Sequence, residues 1–239
     1  MTIELISFDL DGTLIDTASE IAEAANRALE SHGLERRPED RITAYIGHGG
    51  RALINALRNE VIAQDPGVEH RMSFEQLFAS FDDHYGETTG TSSKPYPGTH
   101  EALERLRAGG LRLVCVTNKD YRHAIHALEF HGLATSFELV IGGDSLPEKK
   151  PHASVLLHVA TTLEIPLEYV AHIGDSATDV LAAKNSGVAA WAVPYGYNSG
   201  VPITEANPDR VFRSLPEMAE YVIKIQSTSG AKDRNIQAH

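Results

Sequence analysis

Two aspartates separated by a single residue follow the first hydrophobic segment of the chain. Residues 3–8 predict a short buried strand, Asp9 and Asp11 come directly after it, and Gly12 predicts a turn. Because residues i and i+2 of a strand lie on the same face, both carboxylates are expected to enter one crevice at the carboxyl end of that strand. The alternative for this stretch taken alone is an Asp-Gly hairpin turn beside a solvated aspartate.

Three later hydrophobic segments also end in polar residues. They end, in chain order, at Thr117 and Asn118, at Lys149 and Lys150, and at Asp175, Ser176 and Asp179. Helical patterns separate the segments, and that alternation is typical of a parallel sheet. Since parallel strands bring their carboxyl ends to one edge of a sheet, the sequence predicts that these polar side chains lie together with the first two aspartates.

The same alternation predicts an α/β fold with a doubly wound, Rossmann-like parallel sheet. We predict that residues 1–15 and 97–225 form the catalytic core domain, and that residues 16–96 form a small all-helical cap domain inserted after the first strand. Residues 226–239 are polar and predict a disordered tail.

The cap segment has the pattern of a helical module. Thr17 and Glu20 predict a capping box at its start, and apolar residues then recur at helical spacing. Two further helices are predicted over residues 51–63 and 73–85. Because two linkers join this module to the core, we expect it to close over the crevice, exclude water and choose the substrate.

Four stretches of the chain resemble, in order, the four motifs of the haloacid dehalogenase superfamily. They are Asp9-x-Asp11-Gly12-Thr13, Thr117-Asn118, Lys150-Pro151 and Gly174-Asp175-x-x-x-Asp179. The resemblance covers roughly residues 3–222. Finer features in residues 140–144, 149–152 and 195–198 are similar to its bacterial phosphoglycolate phosphatase branch, from which Ala153 departs because relatives often carry a proline there.

Phosphate chemistry explains why such residue types would be needed. A phosphate monoester carries about two negative charges, and a carboxylate ~4 Å away is repelled by several kcal/mol even at an effective dielectric constant of ~20. A cation must therefore offset the repulsion, and Mg²⁺ takes oxygen ligands from one or two carboxylates. Asp9 and Asp175 fit as its side-chain ligands, and Lys150 would add a fixed positive charge.

The resemblance implies a role for each residue. Asp9 attacks phosphorus and forms an aspartyl-phosphate, while Asp11 acts first as general acid and then as general base. The main-chain oxygen of Asp11 is a third Mg²⁺ ligand. Thr117, Asn118 and Lys150 bind the phosphoryl group.

Several supporting residues have a structural interpretation as well. Ser176 and Asp179 have the spacing of a helix capping box, and Asp179 either caps that helix or holds Lys150 or the water shell of the metal. Thr117 or Asn118 begins a helix in the alternative interpretation. The twelve histidines, among them His172 beside a motif, are interpreted as structural.

Arg51 is the candidate for substrate recognition in the cap. It follows a glycine-rich stretch, residues 47–50, at the predicted start of a helix, where glycines allow a close approach of the backbone and the helix amino terminus attracts anions. We expect Arg51 to bind a carboxylate of the substrate. The alternative is an ordinary glycine-rich connector between helices.

The composition limits the partners that the chain is expected to bind. With 21 basic and 33 acidic residues the formal net charge is −12, so nucleic acid is not expected as a general partner. No run approaches the about eighteen apolar residues of a membrane span, and no secretory signal pattern is evident. The one cysteine, Cys115, agrees with a reducing cytoplasm.

Residues and resemblance together predict a Mg²⁺-dependent phosphomonoester hydrolase that converts 2-phosphoglycolate to glycolate and phosphate. The alternatives are a phosphatase for another small phosphorylated metabolite and a phosphoryl transferase similar to β-phosphoglucomutase. A receiver module phosphorylated at Asp9 and a binding module without turnover are the non-enzymatic alternatives. The acid at Asp11 argues against a long-lived phosphoaspartate.

Overall fold

Six parallel strands form the central sheet of the structure, a computed structural model that describes the backbone of residues 2–236 and the side chains of residues 2–227. In chain order all the described strands are β1 (Leu5–Phe8), β2 (Ile15–Asp16), β3 (Lys94–Pro95), β4 (Arg112–Val116), β5 (Leu139–Ile141), β6 (Val170–Gly174), β7 (Ala189–Ala192) and β8 (Arg210–Val211). Of these, β2 and β3 form a separate small sheet. The central sheet has the strand order β5-β4-β1-β6-β7-β8, and every neighbouring pair in it is parallel. The predicted doubly wound parallel sheet is confirmed.

Helices cover both faces of this sheet. In chain order all the described α-helices are α1 (Ala18–Ser31), α2 (Glu39–Thr43), α3 (Gly50–Gln64), α4 (Val68–Arg71), α5 (Phe74–Thr88), α6 (Thr99–Ala108), α7 (Tyr121–Phe130), α8 (Ser154–Thr162), α9 (Ala177–Ser186) and α10 (Leu215–Ile236). Apolar residues of α6, α7 and α10 pack on one face, and those of α8 and α9 pack on the other. The sheet is therefore buried on both sides, as parallel sheets usually are.

β1 lies in the middle of the sheet, between β4 and β6, and all of its residues are buried. Ile6 and Phe8 belong to the core under α6, α7 and α10, while Leu5 belongs to the core under α8 and α9. This explains why its sequence is apolar rather than alternating. Its one polar side chain, Ser7, is hydrogen-bonded to His172 of β6 at 2.9 Å.

Helices α1 to α5 bury a hydrophobic core of their own, apart from the two cores of the sheet. An antiparallel ribbon connects this helical part to the rest: in it, Ile15 of β2 pairs with Pro95 of β3, and Asp16 pairs with Lys94. The predicted cap boundary at residue 16 lies in β2 and the one at residue 96 directly follows β3, and the division into core and cap stays a prediction.

The start of α1 differs from the prediction. Thr17 makes no cap hydrogen bond to the helix, because its hydroxyl donates to Asp11 at 2.8 Å. Glu20 is fully buried and accepts a hydrogen bond from the main-chain N–H of Gly90 at 2.7 Å. The predicted capping box is therefore wrong, and its two residues connect α1 to Asp11 and to the returning chain instead.

Helix α10 enters the segment that we predicted to be disordered. Its backbone continues to Ile236, because a helix already nucleated on a buried stripe gains one hydrogen bond for each further residue. The side chains after residue 227 and residues 237–239 lie outside what the structure describes, so the disorder of the tail 226–239 stays a prediction. None of the described helices combines the length and the apolar character needed to cross a bilayer.

We expect Leu103→Ala to destabilise the core by about 2–5 kcal/mol, because Leu103 of α6 is fully buried against the sheet and truncation leaves a cavity. The measurement is urea unfolding followed by the fluorescence of Trp191, the one tryptophan, which lies in the same core. Leu181→Ala is the matched control, since Leu181 is 46% exposed and its loss should cost less than about 0.5 kcal/mol. Equal losses in the two variants would contradict the packing described.

Candidate active site

Three buried carboxylates meet at the carboxyl edge of the sheet. Asp9 follows β1, Asp175 follows β6, and Asp179 lies in the first turn of α9. One oxygen of each lies within 4.8 Å of the others. The main-chain N–H of Asp9 donates to the carbonyl of Ile173 at 2.9 Å, so the pairing of β1 with β6 fixes the position of Asp9.

Lys150 lies between two of these carboxylates. Its Nζ is 2.6 Å from Asp179 Oδ1 and 2.8 Å from Asp9 Oδ1, and its side chain is 2% exposed. Burial disfavours the ammonium, but Asp179 and Asp9 outweigh that effect and raise the pKa of Lys150. Lys150 is therefore a fixed positive charge inside the cluster.

Asp179 joins the start of a helix to the acidic cluster. Its Oδ2 accepts hydrogen bonds from the main-chain N–H of Ser176 at 3.1 Å and from the Ser176 hydroxyl at 2.6 Å. Its Oδ1 accepts from Lys150 and lies 3.3 Å from Nε2 of His172. Burial alone would raise the pKa of Asp179, but Lys150 and His172 hold it well below its usual range. Asp179 therefore caps α9 and also binds Lys150, the two alternatives that the sequence left open.

Asp175 is enclosed by two loops. Its carboxylate accepts hydrogen bonds from the Thr13 hydroxyl at 3.2 Å and from the main-chain N–H of Tyr197 at 2.5 Å. Gly12 has a φ of +83°, and a Cβ there would lie 2.4 Å from Asp175 Oδ2. A Cβ on Gly196 would lie 2.2 Å from the same oxygen. The site therefore requires glycine at both positions.

The donor set fits a hard divalent cation. Asp9 Oδ1 is buried and has no hydrogen-bond partner among the described residues, because the nearby Lys150 Nζ meets the distance but not the angle of a hydrogen bond. Burial and then the charge of Asp179 raise the pKa of Asp9 to about 7. Burial also raises the pKa of Asp175 well above its usual range. Three carboxylates around one ammonium leave negative charge that Mg²⁺ would offset.

Asp11 lies in the loop between β1 and β2, and Lys119 is paired with it. The Asp11 Oδ1 atom accepts hydrogen bonds from the Thr17 hydroxyl at 2.8 Å and from Lys119 Nζ at 2.7 Å. We did not predict a role for Lys119. The available signal was its position directly after Thr117 and Asn118, in the polar stretch that ends β4.

Thr117 and Asn118 are both buried at the end of β4. Thr117 Oγ1 accepts from the main-chain N–H of Lys119 at 3.2 Å, which leaves its hydroxyl proton for another acceptor. The Asn118 amide donates to the carbonyls of Gly47 at 3.0 Å and Lys150 at 2.9 Å. Both of its N–H groups are thus in use, and the expected donation from this side chain to a phosphoryl group has no support in the structure.

Arg51 does not reach the acidic cluster. Its guanidinium pairs with Glu75 at 2.6 Å and lies 4.7 Å from the ring centres of Phe74 and Phe78. Its side chain is 52% exposed. The structure thus pairs Arg51 with α5, and its binding of substrate stays a prediction.

A cavity lies between the sheet edge and the helices of the inserted segment. Its walls come from the ends of β1 and β4 on one side and from α1, α3 and α5 on the other. The lining residues include Asp9, Asp11, Ile21, Ile46, Gly47, Leu53, Phe81, Asp82, Tyr85, Thr117, Asn118, Lys119 and His123. A ligand there would contact the carboxylates at one end and an apolar surface at the other.

Known proteins are similar to this chain over most of its length. The family model described as haloacid dehalogenase-like hydrolase matches residues 6–193. A phosphoglycolate phosphatase of Vibrio parahaemolyticus is 38% identical over 222 residues, which is 92% of this chain and 96% of that protein. Another, from Thiobacillus denitrificans, is 38% identical over 226 residues, or 94% of this chain and 97% of that protein.

A solved structure agrees with the fold. The crystal structure described as a predicted phosphoglycolate phosphatase from Haemophilus somnus 129PT superposes with a TM-score of 0.88 at 31% identity, covering 92% of this chain and 98% of that one. The family model and the two relatives cover most of the chain, and its fold agrees with that solved structure. The chain belongs to the haloacid dehalogenase-like hydrolase family.

Proposed function

We propose that this protein hydrolyses 2-phosphoglycolate to glycolate and phosphate. The observation that carries the proposal is the buried cluster of Asp9, Asp175 and Asp179 around Lys150, with Asp11 two residues from Asp9. The names of the relatives with 38% identity support the substrate. In this proposal the protein is a phosphoric monoester hydrolase, and its substrate is a small phosphorylated metabolite.

Asp9 is the nucleophile in this proposal. It lies at the end of the central strand, its Oδ1 has no hydrogen-bond donor among the described residues, and Lys150 lies 2.8 Å from the same atom. Attack on phosphorus would form an aspartyl-phosphate and divide one displacement into two easier ones. Lys150 would offset the charge of the phosphoryl group as it transfers, and the free hydroxyl proton of Thr117 would bind one of its oxygens.

Asp9 and Asp175 would hold Mg²⁺, with the main-chain oxygen of Asp11 and with Asp179 nearby. The bound ion supplies charge neutralisation between the nucleophile and the phosphate dianion. Asp175 is kept in place by Thr13 and by the Tyr197 main chain.

Asp11 is the general acid and base. Thr17 and Lys119 fix one of its carboxylate oxygens, which leaves the other for the leaving group and, in the second step, for water. The helical cap would exclude bulk water during both steps. The buried single thiol of Cys115 is in keeping with a cytoplasmic location.

The experiment that tests the function is phosphate release from 2-phosphoglycolate with Mg²⁺, using Asp9→Asn as the inactive variant. We expect the variant to lose about 10³-fold or more in kcat, because an amide cannot form the phosphoenzyme. Asp83→Asn, a change of an exposed aspartate on α5, is the matched control and should keep parental activity. An active Asp9 variant would mean another nucleophile. Formation of a phosphorylated sugar in place of free phosphate when an acceptor sugar is added would indicate a transferase instead.

Removal of divalent metal should abolish phosphate release, and added Mg²⁺ should restore it. Because Mg²⁺ would bind the folded protein alone, a concentration of about 100 times its Kd should also raise the Tm by about 5 °C or more. Both effects are read from the phosphate assay and from thermal unfolding after chelation and dialysis. Asp175→Asn should remove the Mg²⁺-dependent rise in Tm. Full activity in the chelated protein would contradict the metal dependence.

Asp11→Asn should reduce kcat by about 10²–10⁴-fold, because asparagine neither protonates the leaving alkoxide nor accepts a proton from water. Rapid-quench detection of acid-stable protein-bound phosphate separates the two steps. Accumulated phosphoenzyme would show that hydrolysis suffers more than attack. Unchanged turnover would remove Asp11 from the proton transfers.

A further inference from the structure

Lys119 is a buried cation whose only role in the proposed reaction is to orient Asp11. Its side chain is 3% exposed. Its Nζ donates to Asp11 Oδ1 at 2.7 Å, contacts the Tyr85 hydroxyl and lies 4.6 Å from the centre of the Tyr85 ring. An ammonium has three donors, and these are the two hydrogen-bond partners that the described residues give it. One donor remains for a ligand in the cavity.

The two buried lysines at this edge of the sheet differ in how well their charge is balanced. Lys150 has two carboxylate partners, Asp9 and Asp179. Lys119 has one in ion-pair contact, and it shares that oxygen of Asp11 with the Thr17 hydroxyl. The buried Glu20 lies near enough for the charge of Lys119 to offset part of the rise that burial causes in its pKa, but its carboxylate hydrogen-bonds to the main chain of Gly90 instead. A buried charge is costly unless it is paired and fully hydrogen-bonded. A second anion beside Lys119 would therefore be bound favourably.

Among the described residues that line the cavity, Lys119 is the one lysine or arginine. His123 is hydrogen-bonded to Asp82 at 2.7 Å, and burial, followed by the charge of Arg122, lowers its pKa to about 4, so it is neutral at neutral pH. Lys149 donates to the carbonyl of His48 outside this lining. An anionic group of a ligand in the cavity would thus meet Lys119.

The spacing between acid and cation matches a short leaving group. Asp11 Oδ1 and Lys119 Nζ are 2.7 Å apart. In 2-phosphoglycolate a single methylene joins the ester oxygen to the carboxylate, so the group that protonates the ester oxygen must be a neighbour of the group that binds the carboxylate. We propose that Lys119 binds the carboxylate of the leaving group. The inference rests on the proposed function and names the residue that selects its substrate.

The apolar part of the cavity wall strengthens this selection. The polar side chains that α5 adds to the wall already have partners, because Tyr85 contacts Lys119 and Asp82 is paired with His123. Ile21, Leu53 and Phe81 line the cavity from the helical part of the chain and offer no polar atoms to a sugar or nucleotide. They also exclude water, which strengthens the attraction between an ammonium and a carboxylate. The enzyme therefore selects small phosphate esters that carry an acidic group one carbon from the ester oxygen.

The test compares 2-phosphoglycolate with 2-phosphoglycolamide, in which a neutral amide replaces the carboxylate. We measure kcat and KM on both for the parent and for Lys119→Met. The ratio of kcat/KM on the acid to that on the amide should fall about 10- to 100-fold in the variant, chiefly through KM on the acid. Lys119→Arg keeps the positive charge and should recover part of the ratio.

A purely structural role for Lys119, acting through Asp11, would slow both substrates equally and leave the ratio unchanged. That result overturns the inference while the phosphatase function stands. A parent enzyme that hydrolyses neither compound overturns both proposals. Lys184→Met is the matched control, because Lys184 is exposed and donates to the carbonyl of Ala206 away from the cavity. If Lys119→Met does not fold, as judged by Trp191 fluorescence, Lys119→Gln takes its place in the same comparison.

Discussion

The ammonium of Lys150 holds together a cluster that would otherwise repel itself. It contacts Asp9 at the end of β1 and Asp179 in α9, so it connects the centre of the sheet to a helix that packs on its face. Removing one partner from a buried ion pair typically costs about 3–5 kcal/mol, because the remaining charge is left without compensation. The same positive charge suits a phosphoryl group. One interaction thus supports both the fold and the chemistry.

The support for this cluster reaches into the middle of the sheet. His172 of β6 contacts Asp179 through one ring nitrogen and Ser7 of β1 through the other, and all three side chains are buried. The carboxylate of Asp179 also accepts from the main chain at the start of α9. Contacts with both the strands and the helix therefore hold Asp179 in place. Asp179 in turn positions Lys150 through their ion pair.

The parts of the site that depend on strand ends could be predicted, and those that depend on distant partners could not. Asp9 and Asp175 follow apolar runs, and a parallel sheet must bring such ends together. Arg51 seemed suited to bind substrate because its neighbours in sequence are glycines, yet its partner is Glu75, two helices further along the chain. Lys119 pairs with Asp11 although 108 residues separate them in the sequence, and no local pattern predicts such a contact.

The helical part illustrates the same limit. Helices α3 and α5 were predictable because their apolar residues recur at helical spacing and face their own core. The Thr17 hydroxyl and the Glu20 carboxylate have the spacing of a capping box but bind Asp11 and Gly90, which lie nearby only after folding. Tertiary contacts outweighed the local preference because burial left these polar groups in need of other partners.

The central place of β1 has a consequence for how the chain matures. Leu5 pairs with Arg112 on one side and with Val170 on the other, so β1 is synthesised before either of its partner strands. Helices α1 to α5, which lie between them in the chain, pack against one another in a core of their own and can form before the sheet is complete. Mutual repulsion among the acidic side chains therefore arises only when β6 pairs with β1, and the hydrophobic burial of those two strands offsets it as it appears.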